Sequence, residues 1–326
     1  MIRIATVGTS KITRSFIDAA ASVPEVSVTT VFSRDGKRAA EFAADAGVPG
    51  YGADLDQVLS SPDVDAMYIA SPNGIHGEQV LQAIRAGKHA LVEKPAVPTA
   101  AEFERVTEAA AEAGVIVLEA MRNCYDPGLT AVGELARADL GAVRRASFAY
   151  CQRSARYDKV LAGERVNIFD PALAGGALMD LGVYTVAAMV QLFGEPDQVF
   201  AASVPIPGGA DGSGAALTVH DGFLVDLAYS KITASDRVNE IQGERGTLTF
   251  DHVAQPTSAR VSLLDGTVTE HSFEGPANNM VHEVRRFADL VAGSGDPSSD
   301  HARTMATLRV VEEIQDARDQ NAQRGC

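Results

Sequence analysis

The sequence predicts an α/β protein: a doubly wound parallel sheet at the N-terminus, then an α+β domain with a large, mostly antiparallel open sheet. From residue 1 to about 120, short apolar runs alternate with runs of helical period, as βαβ units on a parallel sheet require. After Met121 the rhythm changes to short strand-like runs joined by glycine-bearing turns such as Asp265-Gly266, which favour antiparallel pairing. A chain of 326 residues is long enough for two domains, expected at 1–121 and 122–326.

In the first domain, strands are expected at Ile2–Val7, Val26–Phe32, Val64–Ala70, His89–Val92 and Val115–Leu118. Helices fall between them, at Ile12–Ala21, Gly36–Ala46, Ile75–Ala86 and Ala100–Ala113. Thr99 with Glu102 three residues later forms a capping box. Gly47, Gly87 and Gly114 stand where C-terminal caps belong. The second domain opens with a helix over Gly128–Ala138 and a strand over Val143–Cys151, then an irregular polar segment, Gln152–Ala174. A helix over Ala177–Phe193 leads into strands at Gln198–Val204, Phe223–Ile232, Val238–Gln242, Thr247–Phe250, Arg260–Leu264 and Thr267–Phe273. Phe223, Val225, Leu227 and Tyr229 alternate with Leu224, Asp226, Ala228 and Ser230, the pattern of a half-buried strand. Helices at Asn278–Val291 and His301–Gln320 close the chain; Gly208–Gly214 reads as loop.

A hydrophobic content of 46 % allows real cores, and a formal charge of −15 argues against a nucleic-acid partner, which needs clustered lysines and arginines. Cys124, Cys151 and Cys326 are scattered, without metal-ligand or disulfide spacing, so no metal site is expected and a reducing cytosol fits best. The N-terminus enters a strand directly, and no apolar run is read as approaching the ~20 residues of a membrane span, so no membrane partner and a cytoplasmic location are expected.

The chemistry-bearing residues sit at the C-terminal tips of the parallel strands, where open α/β sheets bind ligands. Glu93-Lys94-Pro95 places a lysine at such a tip, because Pro95 cannot continue a central ladder. Gly8-Thr9-Ser10-Lys11-Ile12-Thr13 occupies the strand-to-helix turn of a dinucleotide fingerprint but keeps only its first glycine. The helix N-terminus behind it still offers N–H groups and a positive dipole end to a phosphate. At the next strand tip, Ser33-Arg34-Asp35 offers a guanidinium fork suited to a 2′-phosphate, with Arg38 one turn on; this points to NADP. NAD remains possible if Asp35 instead accepts the ribose. Ser71-Pro72-Asn73 follows another strand, and His76 reads as a site-lining residue. Farther along, Gly175-Gly176 opens a helix on which Asp180 and Tyr184 share a face at i, i+4, and Gly182 within it suggests that something approaches closely.

Together these segments resemble the Gfo/Idh/MocA oxidoreductases, the family of glucose-fructose oxidoreductase and inositol 2-dehydrogenase. The match is carried by Gly8 to Ile12, Ser71-Pro72-Asn73 with His76, Gly87-Lys88-His89 through Glu93-Lys94-Pro95, and the Gly-Gly…Asp180-Leu-Gly182-Val-Tyr184 motif. Its last position is often His in the family; here it is Tyr184, as in the glucose-fructose oxidoreductase, dihydrodiol dehydrogenase and xylose dehydrogenase branch. Glu119-Ala120-Met121-Arg122 looks like that branch too, with Arg122 near the nicotinamide end. The resemblance implies a Rossmann domain and reversible hydride transfer between nicotinamide and a carbinol carbon of a small-molecule sugar, polyol or cyclic diol. Tyr184 would be the acid/base, Lys94 would support its phenolate and polarise the carbonyl, and Asp180 would orient the hydroxyl or the lysine. A free phenol titrates near 10, about 4 kcal/mol from neutral working pH, so a neighbouring cation is needed. The resemblance also implies a homodimer or homotetramer. A catalytically silent NAD(P)-sensing regulator of the same fold is the rival class; transient oxidation serving elimination or glycoside cleavage is a third.

Overall fold

The structure, a computed structural model, describes residues 1–324 and divides into two compact units. The first comprises Met1–Met121 and Pro276–Met305, the second Arg122–Gly275 and the chain from Ala306 onward. Sequence reading had placed everything after residue 121 in the second domain; Pro276–Met305 instead returns to the first.

The first unit runs β1 (Ile2–Val7), α1 (Lys11–Ala20), β2 (Val26–Phe32), α2 (Gly36–Ala46), β3 (Gly50–Gly52), α3 (Leu55–Ser60), β4 (Ala66–Ile69), α4 (His76–Arg85), β5 (His89–Glu93), α5 (Ala100–Ala113) and β6 (Val117–Ala120). The six strands form one parallel sheet in the order β3-β2-β1-β4-β5-β6. Strand order reverses beside β1, so the tips of β1 and β4 flank the crevice where such sheets bind ligands. Asp35, Asp54 and Thr99 cap α2, α3 and α5, each accepting a backbone N–H of the first turn. Lys88 is structural: its ammonium donates to the carbonyls of Ser61 (3.0 Å) and Val64 (2.7 Å).

The second unit contains α6 (Pro127–Asp139), β7 (Val143–Cys151), α7 (Tyr157–Leu161), α8 (Val183–Phe193), β8 (Gln198–Pro205), β9 (Asp211–His220), β10 (Phe223–Ser230), β11 (Asn239–Gly243), β12 (Gly246–Phe250), β13 (Ser258–Leu263) and β14 (Val268–Ser272). Its eight strands run β14-β13-β12-β11-β7-β10-β9-β8, antiparallel except for the β7–β10 pair. Val225, Leu227 and Tyr229 of β10 are buried as the alternation requires. Strand β9 was read as partly loop, because Gly212 and Gly214 have little strand preference. It forms because it is paired on both edges, by β8 and β10. The run Pro171–Phe193 reaches a mean hydropathy of 1.6, which corrects the expectation that no apolar stretch approaches the length of a membrane span. Seventy-eight per cent of that stretch is buried within the protein, so its apolarity is that of a core helix.

Two further helices follow, α9 (Met280–Val291) in the first unit and α10 (Ser298–Arg324), of which the part to Met305 belongs to the first unit. Val281, Val284, Phe287 and Ala288 of α9 form a buried stripe at helical spacing. Asn278, just before it, donates to the Ser15 carbonyl of α1 at 2.7 Å. Burying that stripe against the first unit explains why the chain returns there.

Candidate active site

Gly8 ends β1 with φ +113°, and a Cβ there would lie 2.7 Å from the Ala70 carbonyl oxygen. Only glycine fits this approach of β1 to the tip of β4. The other two fingerprint positions are filled differently. Thr13 is fully buried against the turn, and the Ser10 hydroxyl lies 3.4 Å from that of Thr13. Ser10 is the N-cap of α1, yet its side chain accepts no N–H, unlike Asp35, Asp54 and Thr99 on the neighbouring helices. The first-turn donors of α1 therefore remain open to an anion. Thr9, Ser10 and Ile12 are half-buried there, and Lys11 is exposed.

At the tip of β2, the Asp35 carboxylate accepts the Arg38 N–H at 3.2 Å and is engaged in capping α2. Ser33 is half-buried and accepts the Asp35 N–H at 3.3 Å, whereas Arg34 and Arg38 are exposed. Arg38 leans back to the Thr9 carbonyl at 3.5 Å, so this guanidinium borders the turn after β1.

Ser71, Pro72 and Asn73 are half-buried after β4, and the Ser71 hydroxyl donates to Gln79 at 2.6 Å. His76 is not the site-lining residue its position suggested, since it is completely buried. Its ring lies 2.8 Å from the Ser71 carbonyl and 3.0 Å from that of Pro95. Burial, and secondarily the Lys94 charge, push this imidazole below the usual histidine range, and the ring bridges the β4 and β5 tips. Glu93 is likewise internal, 7 % exposed, and accepts the Tyr68 hydroxyl at 2.5 Å. Glu119 is buried beneath the same turn, accepting the Ala96 N–H and the Thr304 hydroxyl, each at 2.9 Å, and burial raises its carboxyl. These groups brace the turn on which Lys94 stands half-buried.

In the second unit, the glycine pair answers to crowding. A Cβ on Gly175 would meet the backbone of Asn167 and Asp170 within 3 Å, and one on Gly176, whose φ is +131°, would strike the Asp211 carboxylate. The Asp211 carboxylate, raised by burial, accepts the Leu178 N–H at 2.7 Å. The predicted regular helix starts instead as a π-helical turn over Leu178–Gly182. Gly182 admits the Tyr229 ring, whose atoms would lie 2.9 Å from a Cβ. That close approach is what the glycine signalled, and the same crowding accompanies the widened turn, a feature frequent at functional sites.

Asp180, at the wide turn, ion-pairs with the ammonium of Lys231, which is 2 % exposed and lies 4.9 Å from the centre of the Phe169 ring. Tyr184 is 5 % exposed. The Arg122 guanidinium lies over its ring at 5.5 Å, and the Tyr150 ring tilts against it at 5.4 Å. His252 stands edge-on to Tyr150 at 4.8 Å, and partial desolvation together with Arg122 holds its imidazole low. Arg122, expected among cofactor contacts, also lies over the Tyr184 ring. Sequence reading missed Lys231, Tyr150 and His252. A signal for Lys231 existed, since strict alternation from Val225, Leu227 and Tyr229 puts it on the buried face of its strand. Within the polar segment 152–174, Arg153 pairs with Asp158 at 2.6 Å and covers the Tyr157 ring at 5.4 Å, while Arg156 and Asn167 are exposed.

Comparison with known proteins follows this division. Residues 2–121 match the oxidoreductase family with an NAD-binding Rossmann fold, and residues 130–249 match the GFO/IDH/MocA C-terminal domain. The chain is 36 % identical over 315 residues to the scyllo-inositol 2-dehydrogenase (NADP(+)) IolU of Bacillus subtilis, covering 96 % of each. It is 28 % identical to D-xylose 1-dehydrogenase (NADP(+)) 2 of Haloferax volcanii, covering 97 % of each. A cyclitol and an aldose dehydrogenase therefore both stand among its relatives. A 3-ketoreductase from Actinomadura kijaniata, solved with NADP and TDP-benzene, shares the fold with a TM-score of 0.85 at 24 % identity, over 97 % of this chain and 98 % of that one. The chain belongs to the Gfo/Idh/MocA family of oxidoreductases.

Proposed function

We propose that this protein is an NADP-dependent dehydrogenase or reductase that moves a hydride to or from a carbinol carbon of a sugar, polyol or cyclitol. The observation that carries the reading is the preparation of Asp180 and Tyr184: one carboxylate held by a buried ammonium, and one phenol under a guanidinium. The cofactor choice is supported separately. Asp35 is engaged in capping α2, which leaves Arg34 and Arg38 as the groups available to a 2′-phosphate. The uncapped first turn of α1 and the close approach at Gly8 suit a pyrophosphate. The relatives described above are named as NADP enzymes acting on scyllo-inositol and D-xylose.

When bound, the nicotinamide supplies the carbon that accepts or gives the hydride. In the oxidising direction Tyr184 takes the hydroxyl proton as the carbinol C–H bond breaks and the carbonyl forms. Arg122 over its ring favours the phenolate by cation attraction. Lys94 polarises the developing carbonyl oxygen, and Asp180 orients the substrate hydroxyl. The same proposal places the enzyme in the cytoplasm, consistent with Cys124 and Cys151 standing outside any disulfide, and makes it a homo-oligomer. Phe200 and Leu217, paired across β8 and β9, are 54 % and 36 % exposed on the open sheet face that would serve as an interface.

Purified protein should change absorbance at the nicotinamide band with scyllo-inositol, myo-inositol or D-xylose, more strongly with NADP than with NAD. No change with any cyclitol, aldose or diol, with either cofactor, sinks the reading and favours the silent regulator.

A further inference from the structure

Lys231 is a lysine on the buried side of a sheet, immediately after β10. Its backbone is fixed on both sides. The Lys231 N–H donates to the Gly212 carbonyl and the Lys231 carbonyl accepts the Ser154 N–H, each at 2.8 Å. Its ammonium reaches Asp180 and lies over the Phe169 ring. Phe169 is in turn held in a small apolar core with Val160, Ile206 and Ala210, with Tyr157, Val166, Ile168 and Ile232 packed around it. The irregular segment 152–174 is therefore a built wall that presents an aromatic face to the lysine. Asp211, whose carboxyl burial raises and the charges of Arg318 and Lys231 offset, accepts the Leu178 N–H and so fixes the start of the π-helical turn carrying Asp180.

We infer that Lys231 is a positioning residue of the active site: its ammonium fixes the Asp180 carboxylate, ionised and in one orientation, for the substrate hydroxyl. This rests on the reading of Asp180 as an active-site group. Lys231 pairs with a carboxylate whose side chain is 37 % exposed while the lysine itself is 2 % exposed. A pair so disposed holds one charge out of water to steer the other, which still faces solvent. The charged and titratable groups linked to it are Asp211 of β9, and through Asp211 the Tyr229 phenol of β10 and the Arg318 guanidinium of α10.

The test compares Lys231→Met, Lys231→Gln, Asp180→Asn and the double variant Lys231→Met/Asp180→Asn, in the full-length enzyme with NADP and its best substrate. Lys231→Met should lower kcat/KM for the sugar or cyclitol about tenfold or more, leave the dissociation constant of NADP within about twofold, and move the acidic limb of kcat/KM to higher pH. Lys231→Gln keeps a hydrogen-bond donor and removes the charge, so it should show the same displaced limb even if the methionine variant folds poorly. In the Asp180→Asn background, Lys231→Met should cost less than about twofold further. An undisplaced limb in the folded charge-free variants, or a loss equally large in the Asp180→Asn background, overturns the inference while Asp180→Asn alone remains strongly impaired but measurable. Wild-type kcat/KM in Asp180→Asn overturns the active-site reading itself, and this inference with it.

Discussion

Lys94 is legible from Pro95, which ends a strand, and Arg34 from its place at the tip of the second strand, where a dinucleotide's ribose is read. Lys94 stands on a turn braced from below by Glu93, Glu119 and His76, so its removal should leave that turn in place. Lys94→Ala should lower kcat by about a hundredfold or more, the range of a lost acid–base or polarising group, while NADP affinity changes by less than about threefold. Steady-state kinetics paired with a fluorescence titration of the cofactor separates the two, and unchanged turnover would end the proposed role. For Arg34, loss of a charge-assisted bond to a 2′-phosphate is worth about 1.5–3 kcal/mol. Arg34→Ala should accordingly raise the KM for NADP by about tenfold or more and leave that for NAD unmoved; equal effects on both would show that Arg34 does not read the phosphate.

At the scale of elements, capping residues and glycines were readable because their effects reach only a few residues along the chain. Thr99, Gly47 and Gly114 do what their positions foretold. Gly182 was legible as a close approach, but not what approached it, because Tyr229 lies on a strand 47 residues away, as their numbers show. The π-helical turn was not legible at all: an i, i+4 pair looks the same in sequence whether the turn is α or widened. Gly182→Ala would force a methyl group into the Tyr229 ring and, by the usual penalty of overpacking, should destabilise the protein by about 1–3 kcal/mol. Chemical denaturation would measure it. A variant as stable as wild type would mean that the widened turn yields freely.

For the whole molecule, pH dependence is the property that many buried groups decide together. Burial holds His76, His89 and His220 below the ordinary histidine range, and partial desolvation beside Arg122 does the same for the solvent-exposed His252. Each titrates near 6.5 once unfolded, so its stabilising contribution is complete above that pH and is lost as pH falls through it toward the folded value. Glu119 and Asp211, raised by burial, act with the opposite sign: their contribution is present at low pH and lost as pH rises through the folded value. Because His76 is the completely buried imidazole among these four, removing it should change the slope most. Between about pH 7.5 and pH 5.5, Tm should fall less steeply on acidification in His76→Gln than in wild type. Calorimetry at constant ionic strength decides this, and parallel slopes would remove His76 from the account.

What the sequence alone determined was the fold class, the family and the strand tips that carry Gly8, Arg34, Ser71 and Lys94, because periodicity, caps and turns are set by near neighbours. Strand β9, the return of α9, the Lys231–Asp180 pair and the Arg122–Tyr184 stack were decided only by tertiary structure. Each depends on register between segments far apart in the chain, and a one-residue slip in register would turn a residue such as Lys231 from the buried face to the open one.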